Sequence, residues 1–361
     1  MNYTSKELLY IWLDSFCGME YTRKRELYKI LSGSNHIRES IKQNKSEITA
    51  VCGEKLYNAL LSATNNDYLD GLIKELDDKK IVAVTVSSEN YPEELLNTDI
   101  PPLVLYCKGN LSLLKNEKFG IVGSRKSLPL SIKICESYVK SLADCGFTLV
   151  TGIAEGIDKT VINAALSYKA NVISVIAGGF DHIYPTANQK LSDEVSESNL
   201  LVSEYPPSVS PLPYYFPIRN RIIAGLSKGV LIVSGALKSG TIYTAEYAFE
   251  YGREVFAVPY SPFVESGAGC NELIKRGAVL TDTPDDIRAF FGITEKKEEA
   301  EIVLGEEEQA IVNAIKDGNL HVEKIAGAIN KQVYEIMPTI SVLEIKGVIV
   351  KSGINSYSLI K

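Results

Sequence analysis

No apolar run in this chain of 361 residues reaches the ~18 residues that a membrane-spanning helix requires. The first residues mix acidic and polar groups into their apolar pattern, so the sequence predicts neither a signal peptide nor a membrane contact, and we expect a cytoplasmic protein. The three histidines and six cysteines are scattered, with no Cys-x-x-Cys pair and no ligand-like spacing. A zinc site and a His-based nucleophile triad are therefore poorly supported, and we predict no metal and no cofactor.

Acidic residues are missing from one long stretch of the chain, Tyr205 to Ala245, although the net charge is −7. Folded surfaces normally mix both signs of charge, so this stretch is expected to face an anion. The opposite bias occurs between Thr294 and Glu308, where seven acids stand against two lysines and predict a solvated linker. The acid-free stretch contains four cations, namely Arg219, Arg221, Lys228 and Lys238.

Hydrophobic periodicity divides the chain into four segments. Residues 1–78 predict a small helical domain, similar to SAM or helix–hairpin–helix domains. Residues 79–292 alternate short Val- and Ile-rich strands with amphipathic helices, which is typical of an α/β, doubly wound parallel sheet. Residues 293–304 form the acidic linker. Residues 305–361 predict three helices and a two-stranded wing, the order of a winged-helix domain, and we expect it to contact protein rather than read a DNA groove.

Glycines, hydroxyls and cations cluster in the turns after the apolar strands, where ligands of doubly wound sheets bind. The turn Gly123–Arg125 offers backbone N–H groups, a hydroxyl and a forked cation suited to phosphate, although an ordinary strand-to-helix turn explains it equally well. The segment Lys238–Thr241 opens a helix, whose N-terminus favours anions, with simple capping as the alternative. In the turn Thr151–Asp158, the aspartate is either a helix cap or a ligand contact.

The segment Phe216–Arg221 follows a proline-rich loop with two tyrosines. Its two arginines can neutralise phosphates, and its aromatic ring offers a face on which a base can stack. The alternative is that Phe216 is part of the core and that the arginines pair with acids. The lack of acids nearby in the sequence favours the binding interpretation.

Seven motifs in one order, with matching gaps, resemble the DNA-processing protein A family (DprA, also called Smf); they are IVGSR, TGIAEGID, YPTANQKL, LLVSEYPP, FPIRNRIIAGLS, KSGTIYTAEYA and GREVFAVP. The resemblance is dense from about residue 90 to about residue 285 and weaker at both ends. It implies that residues 79–292 are a Rossmann-like DNA-binding domain. It also implies a non-enzymatic mediator that binds and protects single-stranded DNA (ssDNA), loads the RecA recombinase in transformation or recombination, and acts as a homodimer. Carried over by motif, the DNA site comprises Gly123, Ser124, Arg125, Phe216, Arg219, Asn220, Arg221, Lys238, Ser239, Gly240 and Thr241.

Three positions depart from the family pattern and mark a divergent member. Ile162 stands where the family commonly has histidine, Ser234 where it usually has glutamate, and Tyr260 where it usually has glycine.

Two other functions are compatible with this superfamily. Phosphoribohydrolases use a GGxGTxxE turn, but here Thr244 occupies the place of the glutamate, and Glu246 lies on a different helix face. Because an oxocarbenium-like transition state needs a carboxylate, we expect binding without catalysis. A sensor that binds a nucleotide without turnover is the remaining alternative.

Overall fold

The computed structural model describes residues 3–16, 18–33, 37–293, 304–346 and 348–359. The chain divides into two compact units, Met1–Ile293 and Thr294–Lys361. The segments predicted at 1–78 and 79–292 both fall in the first unit, and most of the predicted linker at 293–304 lies outside the described residues. Among the described residues, no helix is long and apolar enough to cross a membrane.

Helices open the first unit, while a separate SAM or helix–hairpin–helix-like domain at residues 1–78 stays a prediction. A capping box between Thr4 and Glu7 starts the first helix, and the Trp12 indole N–H donates to the Ala63 carbonyl at 2.9 Å. The Tyr106 hydroxyl donates to Asp14 at 3.0 Å, so these helices are tied to the sheet. The helices are α1 (Ser5–Asp14), α2 (Tyr21–Leu31), α3 (Ile37–Gln43), α4 (Lys45–Ser62) and α5 (Asn66–Asp78).

One mostly parallel sheet forms the centre of this unit. Its strands are β1 (Val82–Thr85), β2 (Val104–Gly109), β3 (Lys118–Val122), β4 (Thr148–Thr151), β5 (Val172–Ile176), β6 (Leu200–Ser203), β7 (Gly229–Ile232), β8 (Glu254–Ala257) and β9 (Val279–Leu280). Their order is β1-β2-β6-β5-β4-β3-β7-β8-β9, and only the β1–β2 and β2–β6 pairs are antiparallel. From β3 the chain proceeds outward through β4, β5 and β6, and it then crosses back to β7 on the other side of β3, which places a topological switch point between β3 and β7.

Both faces of the sheet are covered, because alternate strand residues point to opposite sides. Phe119, Ile121 and Leu149 pack into the core on one face, and Val122 and Val150 into the core on the other. The α/β, doubly wound, Rossmann-like fold is therefore confirmed. The covering helices are α6 (Glu93–Leu96), α7 (Pro129–Asp144), α8 (Ile157–Ser167), α9 (Gln189–Ser198), α10 (Tyr215–Leu226), α11 (Gly240–Glu250), α12 (Ala268–Lys275) and α13 (Pro284–Phe290).

The second unit has its own core, built around Ile311, Ile325, Ile336 and Ile340. Its elements are α14 (Glu306–Lys316), α15 (Val322–Ala328), α16 (Val333–Ile345), β10 (Ile349–Gly353) and β11 (Ser356–Leu359), and the two strands pair antiparallel. Helices followed by a hairpin are the predicted element order. The winged-helix assignment and the role in protein contact stay predictions.

Candidate functional site

A cavity of about 710 Å³ opens at the carboxyl edge of the sheet. Its walls come from the turns after β3 and β7 and from the start of α10, so it lies at the switch point. The fold brings nine of the predicted site residues together in its lining: Gly123, Ser124, Arg125, Phe216, Arg219, Asn220, Ser239, Gly240 and Thr241. Arg221 and Lys238 do not line it.

Arg125 is an exposed cation in the lining of the cavity, and its guanidinium lies over the Phe216 ring, 5.2 Å from the ring centre. The Tyr184 ring packs against the same Phe216 ring, with the two ring centres 5.5 Å apart and an angle of 70° between the ring planes. Phe216 is half-buried and lines the cavity, so it is not a core residue. A cation and two aromatic rings therefore lie side by side within the lining.

The turn after β3 is held in place by short polar contacts. The Ser124 backbone N–H donates to the Ser234 hydroxyl at 3.3 Å, and the Ser124 hydroxyl accepts the Lys126 N–H at 3.1 Å. Gly123 is required here, because a Cβ at this position would come within 2.5 Å of Ile157. Ser234, which stands where the family usually has glutamate, therefore supports this turn.

Arg219 is buried beneath the cavity, and its side chain donates to the Val175 carbonyl and, at 3.1 Å, to the Asn220 amide oxygen. The Asp158 carboxylate lies close to the Arg219 guanidinium, and both groups border Gly152. A Cβ at Gly152 would come within 2.3 Å of the Asp158 carboxylate and 2.7 Å of the guanidinium. Burial raises the pKa of the Asp158 carboxyl, and the Arg219 guanidinium opposes that rise. The negative charge of Asp158 therefore offsets the positive charge of Arg219, which the sequence had predicted to bind phosphate.

The structure places Arg221 away from the cavity. Its buried guanidinium donates to the Glu204 carboxylate and, at 2.6 Å, to the Ile100 carbonyl. Arg219 and Arg221 lie on α10, not in a loop. Side chains two positions apart in an α-helix point in directions that differ by about 200° around the helix axis. Only one of the two side chains can therefore face the cavity. Lys238 is exposed and adjoins the lining residue Ser239.

The N-terminus of α11 forms another wall, with Ser239, Gly240 and Thr241 in the lining. The Ser239 hydroxyl is buried and has no hydrogen-bond partner within the described part of the chain. The Asn220 side-chain N–H donates to the Gly240 carbonyl at 3.1 Å and ties α10 to α11. A helix N-terminus with an unused hydroxyl is suited to an anion.

Among the lining residues that were not predicted, Lys126 adds a charge and Tyr184 adds an aromatic ring. Lys126 directly follows the turn already identified, and Tyr184 belongs to the YPTANQKL motif after β5, so both signals were present. Thr244 lines the cavity, whereas Glu246 lies outside its lining and approaches Arg276 at 3.5 Å. No group of acids, histidines and cysteines that could hold a metal occurs in the described ranges.

The two remaining departures from the family pattern are packing residues. Ile162 is fully buried on α8 in the core of the sheet. The Tyr260 hydroxyl donates to the Val233 carbonyl and shares a hydrogen bond with the Ser131 hydroxyl, both at 2.9 Å.

The chain is similar to proteins that process DNA. The family model described as DNA recombination-mediator protein A matches residues 82–292. The DNA processing protein DprA of Bacillus subtilis (strain 168) is 42% identical over 211 residues, which cover 58% of this chain and 71% of that protein. Among solved structures, DNA processing protein A of Streptococcus pneumoniae aligns with a TM-score of 0.69 at 31% identity, covering 80% of this chain and 98% of that chain. The protein of the same name from Helicobacter pylori, described by its single-stranded DNA binding mode, aligns with a TM-score of 0.54 at 30% identity, covering 59% and 95%.

Proposed function

The chain belongs to the DNA recombination-mediator protein A family, and we propose from that membership that it binds ssDNA as a recombination mediator, with the strand held in the cavity between β3 and β7. The observation that carries this proposal is the exposed Arg125 guanidinium held over Phe216 in the lining of the cavity. That pair presents a phosphate contact and a base contact next to each other.

The phosphate contacts are assigned to the turn after β3 and the N-terminus of α11. Arg125 and Lys126 are exposed and line the cavity, so their charges are available to a polyanion. The unused Ser239 hydroxyl and the positive end of the α11 dipole act on the same ligand. Neutralising phosphates in this way supplies affinity without sequence preference.

The base contacts are assigned to Phe216 and Tyr184. Aromatic faces stack on any base, which suits a protein that must cover unpaired DNA of any sequence. Both arginines are buried, Arg219 near Asp158 and Arg221 in an ion pair with Glu204, so we assign them to supporting α10 rather than to direct phosphate contacts.

Loading of RecA, action as a homodimer and a cytoplasmic location belong to the same proposal. Their support is the resemblance to the family.

Replacing Arg125 with alanine tests the proposal. We expect weaker binding for every ssDNA sequence, and a salt dependence whose slope is smaller by ~0.7, because one phosphate contact is lost. Fluorescence anisotropy of labelled oligonucleotides over a range of salt concentrations measures both quantities.

Lys115→Ala is the matched control, because this exposed lysine precedes β3 at the opposite edge of the sheet. It should leave affinity and slope at the wild-type values. Equal effects of the two substitutions, or none from Arg125→Ala in a folded protein, would remove the cavity from the DNA site.

We further propose that the chain has no nucleotide hydrolase activity. Asp158, the one acid among the described lining residues, accepts the Ala154 N–H at 3.3 Å and lies near the Arg219 guanidinium, and Thr244 stands where a hydrolase would need a carboxylate. Incubation with nucleoside monophosphates should release no free base above background, as measured by chromatography. Release in excess of the protein concentration, abolished by Thr241→Ala, would show an enzyme instead.

A further inference from the structure

Large apolar side chains are exposed along the carboxyl edge of the sheet, beyond the cavity. In the turn after β8, Phe263 is 96% exposed, and in the turn after β7, Leu237 is 58% exposed. Neither residue lines the cavity. Contact of a partner with an exposed phenylalanine ring is favourable, because it removes apolar surface from water.

The two turns are bonded to each other. The Gly235 N–H donates to the Ser266 carbonyl at 2.6 Å, and the Gly269 N–H donates to the Gly235 carbonyl at 2.8 Å. Phe263 therefore projects from a turn that is fixed against the β7 turn, and that turn runs directly into the cavity residue Ser239.

The Asn271 side chain holds the start of the β8 turn. It accepts the Tyr260 N–H at 3.0 Å and donates to the Tyr260 carbonyl at 2.8 Å. The Tyr260 ring lies against Gly267 so closely that a Cβ there would come within 2.1 Å of it. The family departures at Ser234 and Tyr260 thus fall in the same two turns that carry Leu237 and Phe263.

The charges of these turns decide which partner fits. Lys238 is exposed between Leu237 and the cavity, and Arg125 and Lys126 border the other side of the switch point. Glu265 is an exposed acid. It follows Phe263 in the chain, whereas the cavity residue Ser239 precedes both. An exposed cation and an exposed aromatic ring, carried on two hydrogen-bonded turns of which one continues into the cavity, are the combination that unpaired DNA requires.

The distance involved is short. Strands in a sheet lie ~4.8 Å apart, so the turns after β3 and β8 are separated by ~10 Å across β7. A single DNA strand covers that distance in a few nucleotides.

We propose that Phe263, with Lys238, forms a second contact for ssDNA outside the cavity, so that a strand leaving the cavity stacks a further base on the turn after β8. This inference rests on the proposed DNA-binding function. With this second contact, the affinity for ssDNA depends on the length of the strand, because a short oligonucleotide fills the cavity without reaching Phe263.

The test compares oligothymidylates of about 4 and about 16 nucleotides on the full chain, since single-strand binding sites span that range. Phe263→Ala should leave the affinity for the short probe within about twofold, and should weaken the long probe by about fivefold or more, the loss of one stacked base. Phe263→Trp should retain the wild-type affinity for both probes.

Tyr168→Ala is the control, because this aromatic residue is 48% exposed at the C-terminal end of α8, at the opposite edge of the sheet. If Phe263→Ala binds both probes like the wild type, the second contact is wrong while the cavity proposal stands. If the wild type binds neither probe, the proposed function itself fails. A changed sedimentation coefficient of Phe263→Ala would assign the side chain to a contact between copies of the chain and overturn the inference.

Discussion

Arg219→Ala is expected to lower the free energy of unfolding by about 3–5 kcal/mol, because the substitution leaves the buried Asp158 carboxylate without its cation. Arg219 is 5% exposed and Asp158 is 7% exposed, so both side chains are largely shielded from water in the wild-type protein. The substitution also removes the donor to the Val175 carbonyl. Urea denaturation at neutral pH measures the change.

A double substitution separates the pair from the rest of the site. Arg219→Ala with Asp158→Ala should recover part of the loss, because no buried charge remains, and the cycle of single and double variants gives the coupling between the two side chains. Wild-type stability of Arg219→Ala, together with a flatter salt dependence of ssDNA binding, would instead make Arg219 a direct phosphate contact.

The loss in Arg219→Ala is also expected to depend on pH. Burial raises the pKa of Asp158, and the substitution removes the cation that opposes this rise. Above the ordinary aspartate value of about 3.9, the native state holds a proton that the unfolded chain has released, so stability falls as the pH rises through this range. The deficit of the variant should therefore shrink as the pH is lowered and Asp158 becomes neutral.

The location of the site followed from local patterns in the sequence. Short apolar strands are recognisable one by one, and the glycine and hydroxyl residues after them mark the turns where ligands bind. Gly123 and Ser239 were identified in this way. That their turns are neighbours depends on the pairing of β3 with β7, which no local pattern contains.

The partners of the two arginines could not be predicted in the same way. The acid-free stretch begins at Tyr205, and the acid that pairs with Arg221 is the residue just before it, Glu204. Asp158 belongs to the turn after β4 and is far from Arg219 in the sequence. Distance along the chain was therefore a poor guide to the distance between charges.

The sequence also did not indicate that a helix, α10, begins before the two arginines. The proline-rich segment before Phe216 indicated a loop, in which both arginines could point the same way. The helix begins at Tyr215, and its geometry sends one arginine toward the cavity and the other toward Glu204.

Phe216→Ala is expected to weaken ssDNA binding by ~2–3 kcal/mol, the upper part of the range for one aromatic base contact. Two effects combine in this residue: the ring is a stacking face, and it holds the Arg125 guanidinium at 5.2 Å. The salt dependence should change little, since Arg125 itself remains. Anisotropy titrations at several salt concentrations distinguish this result from that of Arg125→Ala.

The fold should survive the loss of the Phe216 ring, because the side chain is half-buried in a cavity wall and its truncation opens no closed void in the core. Phe216→Leu keeps an apolar contact with Tyr184 but has no π-face, so it should bind as poorly as Phe216→Ala, whereas Phe216→Tyr should bind like the wild type. Unfolding of Phe216→Ala, or equal binding by Phe216→Leu and the wild type, would make the ring a packing residue. The base contact would then have to come from Tyr184, the other aromatic ring that lines the cavity and meets Phe216 edge-on.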